Sequence, residues 1–151
     1  MPRELPFTHE ALREASTVHR VDRRMARFHD VDAALTVFFP RYFEYASDLT
    51  IEHLRARGVD VPDVIRRRLW AAPLAHVEAD YAAPLRFGDR FALELVGLHA
   101  GKSSYAFGLR MRADDESARV LATMVIVHVC IDPDTFRPIP LPDALRAAMT
   151  P

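Results

Sequence analysis

The longest regular pattern in the chain is helical. Apolar residues recur at intervals of three and four between Phe39 and Leu54, and charged residues occupy the opposite positions. Pro40 suits a first helical turn, where its missing N–H is not needed, and Gly58 provides a stop signal beyond the last turn. The pattern predicts a half-buried helix over Pro40–Arg57.

The second half of the chain changes to a period of two. Apolar and polar positions alternate over His76–Ala82, Phe91–Leu95 and Tyr105–Met111, and turn residues separate these segments. Arg119–Ile131 is almost continuously apolar and rich in β-branched residues, which predicts a central strand buried on both faces. A further strand is expected within Val18–Phe28. A long helix followed by four strands joined by short turns predicts an α+β fold, an antiparallel sheet with the helix packed on one face.

Shorter elements are expected around this core. His9–Ala15 has weak helical character with Thr8 as an N-cap, and residues 1–16 form an N-terminal extension to which the sequence assigns no role. Short helices are expected within Pro62–Trp70 and Leu141–Met149. No repeat or linker divides the 151 residues, so a single domain covering 1–151 is expected.

The composition argues against several classes of function. A formal net charge of -1 gives no general attraction to nucleic acid or to a membrane surface. The longest apolar run, Val120–Ile131, is interrupted by Thr123 and His128 and is too short to span a bilayer. The single Cys130 cannot form an internal disulfide, and Met1–Glu10 lacks the apolar segment of a signal peptide, so a cytoplasmic location is expected.

Candidate chemistry lies just before the long helix. Asp30 and Asp32 precede a helix start whose first N–H groups have no partner within the helix and carry partial positive charge. Such amides can stabilise an oxyanion, and a nearby carboxylate can attack a carbonyl carbon or activate a water. A thiolate leaving group, whose conjugate acid has a pKa of about 8.5, needs no strong general acid. One carboxylate and one amide therefore suffice for thioester hydrolysis.

The same residues also have simpler interpretations. Asp32 is also explained as an ordinary turn or helix-cap residue, and Asp30 as a loop carboxylate that accepts a hydrogen bond from its own backbone. The histidines are scattered and no H-E-x-x-H or paired-cysteine spacing occurs, so no metal is expected. No G-x-S-x-G sequence surrounds Thr36, Ser103 or Ser104, which argues against a serine hydrolase.

A longer motif resembles a known family. Phe28–Tyr42 reads as an aromatic residue, Asp-x-Asp, a small pair, an apolar-aromatic run and Pro-x-Tyr, and it resembles the signature of the hotdog-fold acyl-CoA thioesterases of the 4-hydroxybenzoyl-CoA thioesterase type. The likeness continues through Tyr81–Asp89 and Val129–Pro140 and covers about Val21–Pro142. It implies a hotdog fold, in which an antiparallel β-sheet wraps around one long central helix, and an acyl-CoA thioesterase activity.

The resemblance also implies roles for individual residues. The family's catalytic carboxylate matches Asp32, and the backbone amide that polarises the thioester carbonyl matches that of Phe39. Leu35 departs from the family's usual Gly. Phe39 stands where the branch for short aliphatic acyl groups has His and the aromatic-acyl branch has an aromatic residue, so an aromatic or bulky acyl group is expected. Aromatic residues at the helix start are expected to line the acyl pocket: Phe38, Tyr42 and Phe43.

Contacts with coenzyme A and with a second subunit are implied in the same way. Lys102 matches a basic cluster that meets the nucleotide phosphates of coenzyme A in the family. The arginines of that cluster are absent here, and Arg86, Arg90 and Arg110 are the candidates to replace them. Family members form dimers, often paired into tetramers, with each active site completed by the neighbouring subunit, so a homodimer or homotetramer is expected.

Two other functions stay open at this point. The chain can be a thioesterase for carrier-protein-bound polyketide or fatty acyl chains, or a non-catalytic acyl-binding protein with the hotdog fold. Hotdog dehydratases are less compatible, because they pair a His with an acid at spacings that this sequence lacks. For the thioesterase, no cofactor is expected apart from the coenzyme A of the substrate itself.

Overall fold

The computed structural model describes residues 5–151. In this part of the chain a five-stranded antiparallel sheet has the strand order β1-β3-β4-β5-β2. The elements are α1 (His9–Glu14), β1 (Arg20–Met25), α2 (Phe39–Ala56), α3 (Val61–Arg66), β2 (Leu74–Tyr81), β3 (Arg90–Ala100), β4 (Ser104–Ala113), β5 (Val120–Val129) and α4 (Asp143–Ala148). The predicted α+β fold, a sheet with one long helix against it, is confirmed.

The core lies between α2 and one face of the sheet. The buried residues of α2 recur at intervals of three and four, from Tyr42 through Leu49 to Leu54, as the sequence pattern predicts. They meet the inward side chains of β3 and β4, of which Phe91 and Phe107 are the largest. Each such side chain contributes roughly 1.5 to 3 kcal/mol through burial, so this contact fixes where α2 begins relative to the sheet.

The strand order differs in one respect from the sequence-based expectation. β5 is an interior strand buried on both faces, but the middle of the sheet is β4, because β5 pairs with β2 on its other side. β1 and β2 are the two edges. The free edge of β2 runs close to α2 and to both cavities described below.

Both faces of the sheet are covered, whereas the helical pattern predicts cover on one face only. Leu12 of α1 packs with Val96 and Val125 on the outer face, and Phe7 packs against this cluster. Glycine at position 97 is required for this fit, because a Cβ there would lie 2.8 Å from the Phe7 ring. Residues 5–15 of the N-terminal extension therefore have a structural role, which its local sequence does not indicate; residues 1–4 lie outside the described part.

An arginine of the middle strand attaches this segment to the sheet. Arg110 forms a 2.7 Å ion pair with Glu94 on β3, and its Nη1 donates to the carbonyl oxygens of Arg13 and Ala15 at 2.9 Å each. The last carbonyl groups of a helix have no partner within it, so this guanidinium acts as a C-terminal cap for α1. Thr8 provides the N-cap, as predicted, by accepting from the amide of Ala11.

Candidate active site

The loop before α2 is a tight reversal that begins at Asp32. The amide of Leu35 donates to the carbonyl of Asp32 at 2.9 Å, and the amide of Asp32 donates to the carbonyl of Thr36 at 3.0 Å. Leu35 has φ of 59°, the left-handed conformation in which such turns usually place Gly. The departure at Leu35 therefore leaves the turn formed, at the cost of backbone strain in a residue with a Cβ.

The Asp32 side chain is exposed, and only one of its two carboxylate oxygens accepts a hydrogen bond. Its Oδ1 accepts a 2.8 Å hydrogen bond from the amide of Ala34, which fixes the carboxylate relative to the turn. Oδ2 has no protein partner in residues 5–151. Asp30, two residues earlier, is buried and accepts from the amide of Arg27 at 2.8 Å. The two carboxylates thus differ in environment: Asp30 closes the loop, and Asp32 presents a free oxygen.

The start of α2 carries one amide that is free to bind a ligand. Phe38 is the N-cap residue, and its own amide donates to the carbonyl of Asp30 at 2.8 Å. Pro40 has no N–H, and the amide of Arg41 turns back to the carbonyl of Phe38 at 2.9 Å. Within the described chain the amide of Phe39 has no hydrogen-bond partner. It lies at the positive end of an 18-residue helix, where an oxyanion is stabilised.

Asp32 and Phe39 line the same open cavity of about 480 Å³. Phe38 and Tyr42 also line it, so four of the predicted site residues meet there. The ring of Tyr42 packs edge-to-face on that of Tyr81, with centroids 5.0 Å apart, and burial raises the pKa of Tyr42. The remaining wall is formed by the following residues: Thr36, Val37, Ala82, Ala83 and Pro84.

Two predicted site residues lie elsewhere in the same chain. Phe43 lines a second cavity, which lies further along α2. Lys102, in the β3–β4 hairpin, lies at the opposite end of the sheet from Asp32. Tyr81, which borders the Asp32 cavity, is level with Met111 of β4. Met111 is seven residues along β4 from Ser104, at the hairpin, and this separation is roughly 23 Å. Within one chain, Lys102 and Asp32 therefore do not contribute to one site.

Of the three arginines expected to replace the missing basic cluster, two lie near carboxylates and the third is exposed near the Asp32 cavity. Arg110 has a side chain only 5% exposed and caps α1 on the outer face of the sheet, so the expectation that it contacts a phosphate is wrong. Arg90 lies 3.8 Å from Asp114. Arg86 is exposed, and its backbone forms an isolated β-bridge with Thr36, which lines the Asp32 cavity.

The second cavity is larger, about 670 Å³, and mostly apolar. It lies between α2, α3 and the β2 side of the sheet, and it shares no lining residue with the Asp32 cavity in the described part of the chain. Most of its wall is aliphatic, and five aromatic side chains also contribute to it: Phe43, Trp70, Tyr105, Phe107 and His128. Its volume is within the usual range for a site that binds a small organic molecule.

Sequence analysis missed Tyr81 and the second cavity. Tyr81 belongs to the motif that ends at Asp89, and its place at the end of an alternating strand next to Pro84 was the available signal. The cavity has no local signal, because its wall comes from two helices and three strands.

Two other residues considered from the sequence, His53 and Cys130, lie in the packed interior. His53 is buried, and its Nε2 lies 2.9 Å from the carbonyl oxygen of Ala148, so it is a packing residue, as expected. Burial raises the pKa of the Cys130 thiol to about 11, which keeps it unreactive near neutral pH. Among residues 5–151, no group of three His, Cys, Asp or Glu side chains is placed to hold a metal ion, and no helix is long and apolar enough to cross a membrane.

The architecture, an antiparallel sheet around one long helix, is that of a hotdog-fold protein. The chain belongs to the Thioesterase-like superfamily, whose profile matches residues 26–149. This match confirms the predicted family and fold, and with them the predicted enzyme class, a thioesterase.

Individual relatives agree with this assignment. The chain is 27% identical over 122 residues to a 1,4-dihydroxy-2-naphthoyl-CoA hydrolase of Acaryochloris marina, a match that covers 81% of this chain and 89% of the relative. A 1,4-dihydroxy-2-naphthoyl-CoA thioesterase from Synechocystis superposes with a TM-score of 0.79 at 25% identity, over 85% of this chain and 93% of that one. A 4-hydroxybenzoyl-CoA thioesterase superposes with a TM-score of 0.75 at 14% identity, over 87% and 98% of the two chains, which shows a common fold.

Proposed function

We propose that this enzyme hydrolyses the coenzyme A thioester of an aromatic carboxylic acid, with Asp32 and the Phe39 amide as its catalytic groups. The observation that carries the proposal is their shared cavity: the free oxygen of Asp32 and the unpaired amide of Phe39 face one open space at the start of α2. Asp32 is held by the hydrogen bonds of its turn, and the backbone next to Phe39 is held by the hydrogen bond from the Phe38 amide to the carbonyl of Asp30, so the arrangement exists before substrate binds.

An aromatic acyl group is supported by two observations. The Asp32 cavity is bordered by Phe38, Phe39 and Tyr42, and these aromatic faces suit a planar ring. In addition, the hydrolase of Acaryochloris marina and the thioesterase from Synechocystis are both named for a bicyclic aromatic acyl-CoA. A hydroxylated aromatic acyl-CoA is accordingly the first substrate to test.

The proposed chemistry follows from which atoms are free. The thioester carbonyl oxygen accepts from the Phe39 amide, which polarises the carbonyl carbon and stabilises the negative charge that develops on the oxygen. Oδ2 of Asp32 then attacks that carbon, or removes a proton from a water that attacks it. The C–S bond breaks and coenzyme A leaves as a thiolate, which requires no strong acid in the site. If Asp32 has attacked directly, water then hydrolyses the mixed anhydride and regenerates the carboxylate; if water has attacked, the free carboxylic acid forms in the same step.

A homodimer formed through the free edge of β2 completes the proposed site. Two β2 strands paired antiparallel about a two-fold axis bring the Tyr81 end of one strand beside the Leu74 end of the other. The Asp32 cavity of one subunit then faces the large cavity and the Lys102 hairpin of its partner. Exposed apolar side chains on both sides of this edge favour such an interface; they are Phe38, Phe39, Tyr81, Ile51, Ile65 and Leu74.

The larger assembly has one alternative. A homotetramer would pair two such dimers through a further surface. The outer face of the sheet is covered by α1 in the described chain, which favours the homodimer. Size-exclusion chromatography with light scattering distinguishes the homodimer from the homotetramer by mass.

The substrate proposal is tested with a panel of thioesters. Wild-type enzyme is assayed with hydroxylated aryl, unsubstituted aryl and aliphatic acyl-CoA esters and with the same acyl groups on a carrier protein. The proposal predicts the highest kcat/KM for an aryl-CoA ester. A preference for carrier-bound chains would instead support a carrier-protein thioesterase, and tight acyl-CoA binding without any turnover would support an acyl-binding protein.

Completion of the site across the dimer has its own test. Asp32→Asn and Lys102→Ala subunits are prepared separately, then mixed and exchanged. If Lys102 serves the partner's Asp32, each mixed dimer regains one intact site, and activity returns to about a quarter of the wild-type rate. If both residues serve the same subunit, every site keeps one defect and the mixture stays as inactive as its components.

A further inference from the structure

His128 is the one histidine in the wall of the large cavity. It lies on β5, and its side chain is on the sheet face that meets α2, in register with Tyr105 on β4. The two rings stack with centroids 5.1 Å apart and an angle of 16° between them. Phe107 also contacts the imidazole, in an edge-to-face arrangement with centroids 6.5 Å apart. The orientation of the His128 ring is therefore fixed by its neighbours rather than by solvent.

The hydrogen bonds of His128 determine its tautomer. Nδ1 lies 2.9 Å from the carbonyl oxygen of Ala72, and a carbonyl can only accept, so the proton is on Nδ1. Burial lowers the pKa of His128, and the ring is neutral near pH 7. Nε2 is then a hydrogen-bond acceptor. It has no protein donor among residues 5–151, although the ring borders the cavity.

Thr50 and Arg68, two other polar residues around this cavity, are engaged, and the hydroxyl groups of Ser47 and Tyr105, which also line it, can rotate either to donate or to accept. Thr50 donates its hydroxyl to the carbonyl oxygen of Ser47 at 3.0 Å. Arg68 is exposed and pairs with Asp134 at 2.5 Å. An apolar cavity with one fixed acceptor is suited to an aromatic ring that carries one hydrogen-bond donor, because the ring is buried against the apolar wall and the donor satisfies Nε2.

We propose that His128 is the specificity-determining residue for the acyl group, and that its Nε2 accepts a hydrogen bond from a hydroxyl on the aromatic ring of the substrate. The proposal rests on the function proposed above and on the β2-paired dimer, in which the large cavity of one subunit opens toward the Asp32 cavity of its partner. The thioester carbonyl lies at Asp32 and Phe39 of one subunit, the near part of the ring lies beside the aromatic side chains of that cavity, and its far end, with the hydroxyl, reaches the partner subunit's His128.

The first experiment compares matched substrates. Steady-state rates are measured with a hydroxylated aryl-CoA ester and with its deoxy analogue, for wild type and for His128→Phe. Phenylalanine keeps the stacking on Tyr105 and removes the acceptor. Wild type is expected to prefer the hydroxylated ester about tenfold in kcat/KM, and His128→Phe is expected to reduce this preference to within about twofold, chiefly by slowing the hydroxylated ester.

Two further variants separate recognition from folding. His53→Phe is the matched control, because His53 also contacts Phe107 edge-to-face and also bonds a backbone carbonyl, but it is more deeply buried than His128 and does not line the cavity. It is expected to leave the tenfold preference unchanged. His128→Gln restores an acceptor near the Nε2 position and is expected to recover part of the preference. An undiminished preference in folded His128→Phe would overturn the proposal.

A binding measurement does not depend on catalysis. 2-Naphthol and naphthalene are titrated separately into the wild-type protein and into Asp32→Asn, with the ¹⁵N resonances of the His128 ring as the readout. 2-Naphthol is expected to bind more tightly than naphthalene. 2-Naphthol is also expected to shift the Nε2 resonance of His128, and naphthalene is expected to leave that resonance unchanged. If this result holds and no thioester is hydrolysed, the proposed function fails, and His128 stands only as the acceptor of a binding site for hydroxylated aromatic rings. Equal binding of the two probes would refute the assignment of His128 while leaving the proposed function intact.

Discussion

Arg110 attaches the N-terminal segment to the sheet, and its replacement by methionine tests that attachment. The guanidinium donates to Glu94 at 2.7 Å and to the carbonyl oxygens of Arg13 and Ala15 at 2.9 Å. The side chains of Arg110 and Glu94 are 5% and 14% exposed. Methionine keeps a flexible apolar side chain of similar length, so Arg110→Met removes chiefly the charge and the donors.

The expected loss follows from this burial. Removing one partner of a buried ion pair costs about 3 to 5 kcal/mol, because the other charge is left without a counterion. For a domain of 151 residues each kcal/mol lowers Tm by roughly 2 to 4 °C, so Arg110→Met is expected to melt about 6 to 20 °C below wild type. Arg110→Met/Glu94→Leu also removes the stranded carboxylate, and it is expected to recover all but about 1 to 2 kcal/mol, the cost of the uncapped carbonyl groups.

Urea denaturation monitored by circular dichroism measures these differences. All variants are compared at one protomer concentration, because the proposed dimer would make apparent stability depend on concentration. Arg90→Met is the matched control: Arg90 also lies near a carboxylate, that of Asp114, but its side chain is 68% exposed, and its replacement is expected to cost less than about 1 kcal/mol. An Arg110→Met variant as stable as the control, or a double variant less stable than Arg110→Met, would refute the reasoning.

Two further predictions concern the turn at Leu35 and the buried histidines. Leu35 has φ of 59°, so Leu35→Gly is expected to raise the free energy of unfolding by up to about 1 kcal/mol, while Leu35→Ala, which keeps the strain, is not; a destabilised glycine variant in urea denaturation would contradict this. Burial lowers the pKa of His53 and His128 below 6.5, so the unfolded chain binds more protons than the native one at acid pH. Their contribution to stability is complete above pH 6.5 and is lost as the pH falls through the lowered values. The urea midpoint of wild type is expected to decrease from pH 7.5 to pH 5, and that of His53→Phe to decrease less; parallel decreases in the two proteins would show that His53 is not responsible.

Much of the fold is predictable from local patterns. The spacing of apolar residues predicts α2 to within one residue at each end, because a half-buried helix requires that spacing whatever it packs against. The alternating segments predict β2, β3 and β4, and the turn residues between β3 and β4 indicate that these two neighbours pair antiparallel; β2 pairs with β5 instead, which its local sequence does not indicate. Asp32 and Phe39 are also identifiable, since both belong to one continuous motif at the start of that helix.

The remaining features depend on contacts between distant residues. The outer cover of the sheet requires Phe7 and Leu12 to fit over Gly97 and Gly108, and no short segment contains that information. The sequence around Arg110 is compatible with a phosphate contact, whereas in the structure its guanidinium caps α1. The carbonyl groups that it binds lie almost a hundred residues away in the chain, so no local pattern indicates this role. The second cavity arises where α2, α3 and the sheet diverge, so its acceptor at His128 becomes apparent only in three dimensions.

The rate of thioester hydrolysis by Asp32→Asn tests the central claim most directly. Asparagine can keep the hydrogen bond from the amide of Ala34, so the turn is preserved while the nucleophilic or basic oxygen is lost. On the best substrate of the panel, kcat is expected to fall by at least about 100-fold with little change in KM or Tm, and Glu44→Gln, which changes an exposed carboxylate on α2, is expected to retain the wild-type rate. A folded Asp32→Asn enzyme with wild-type kcat would contradict the account.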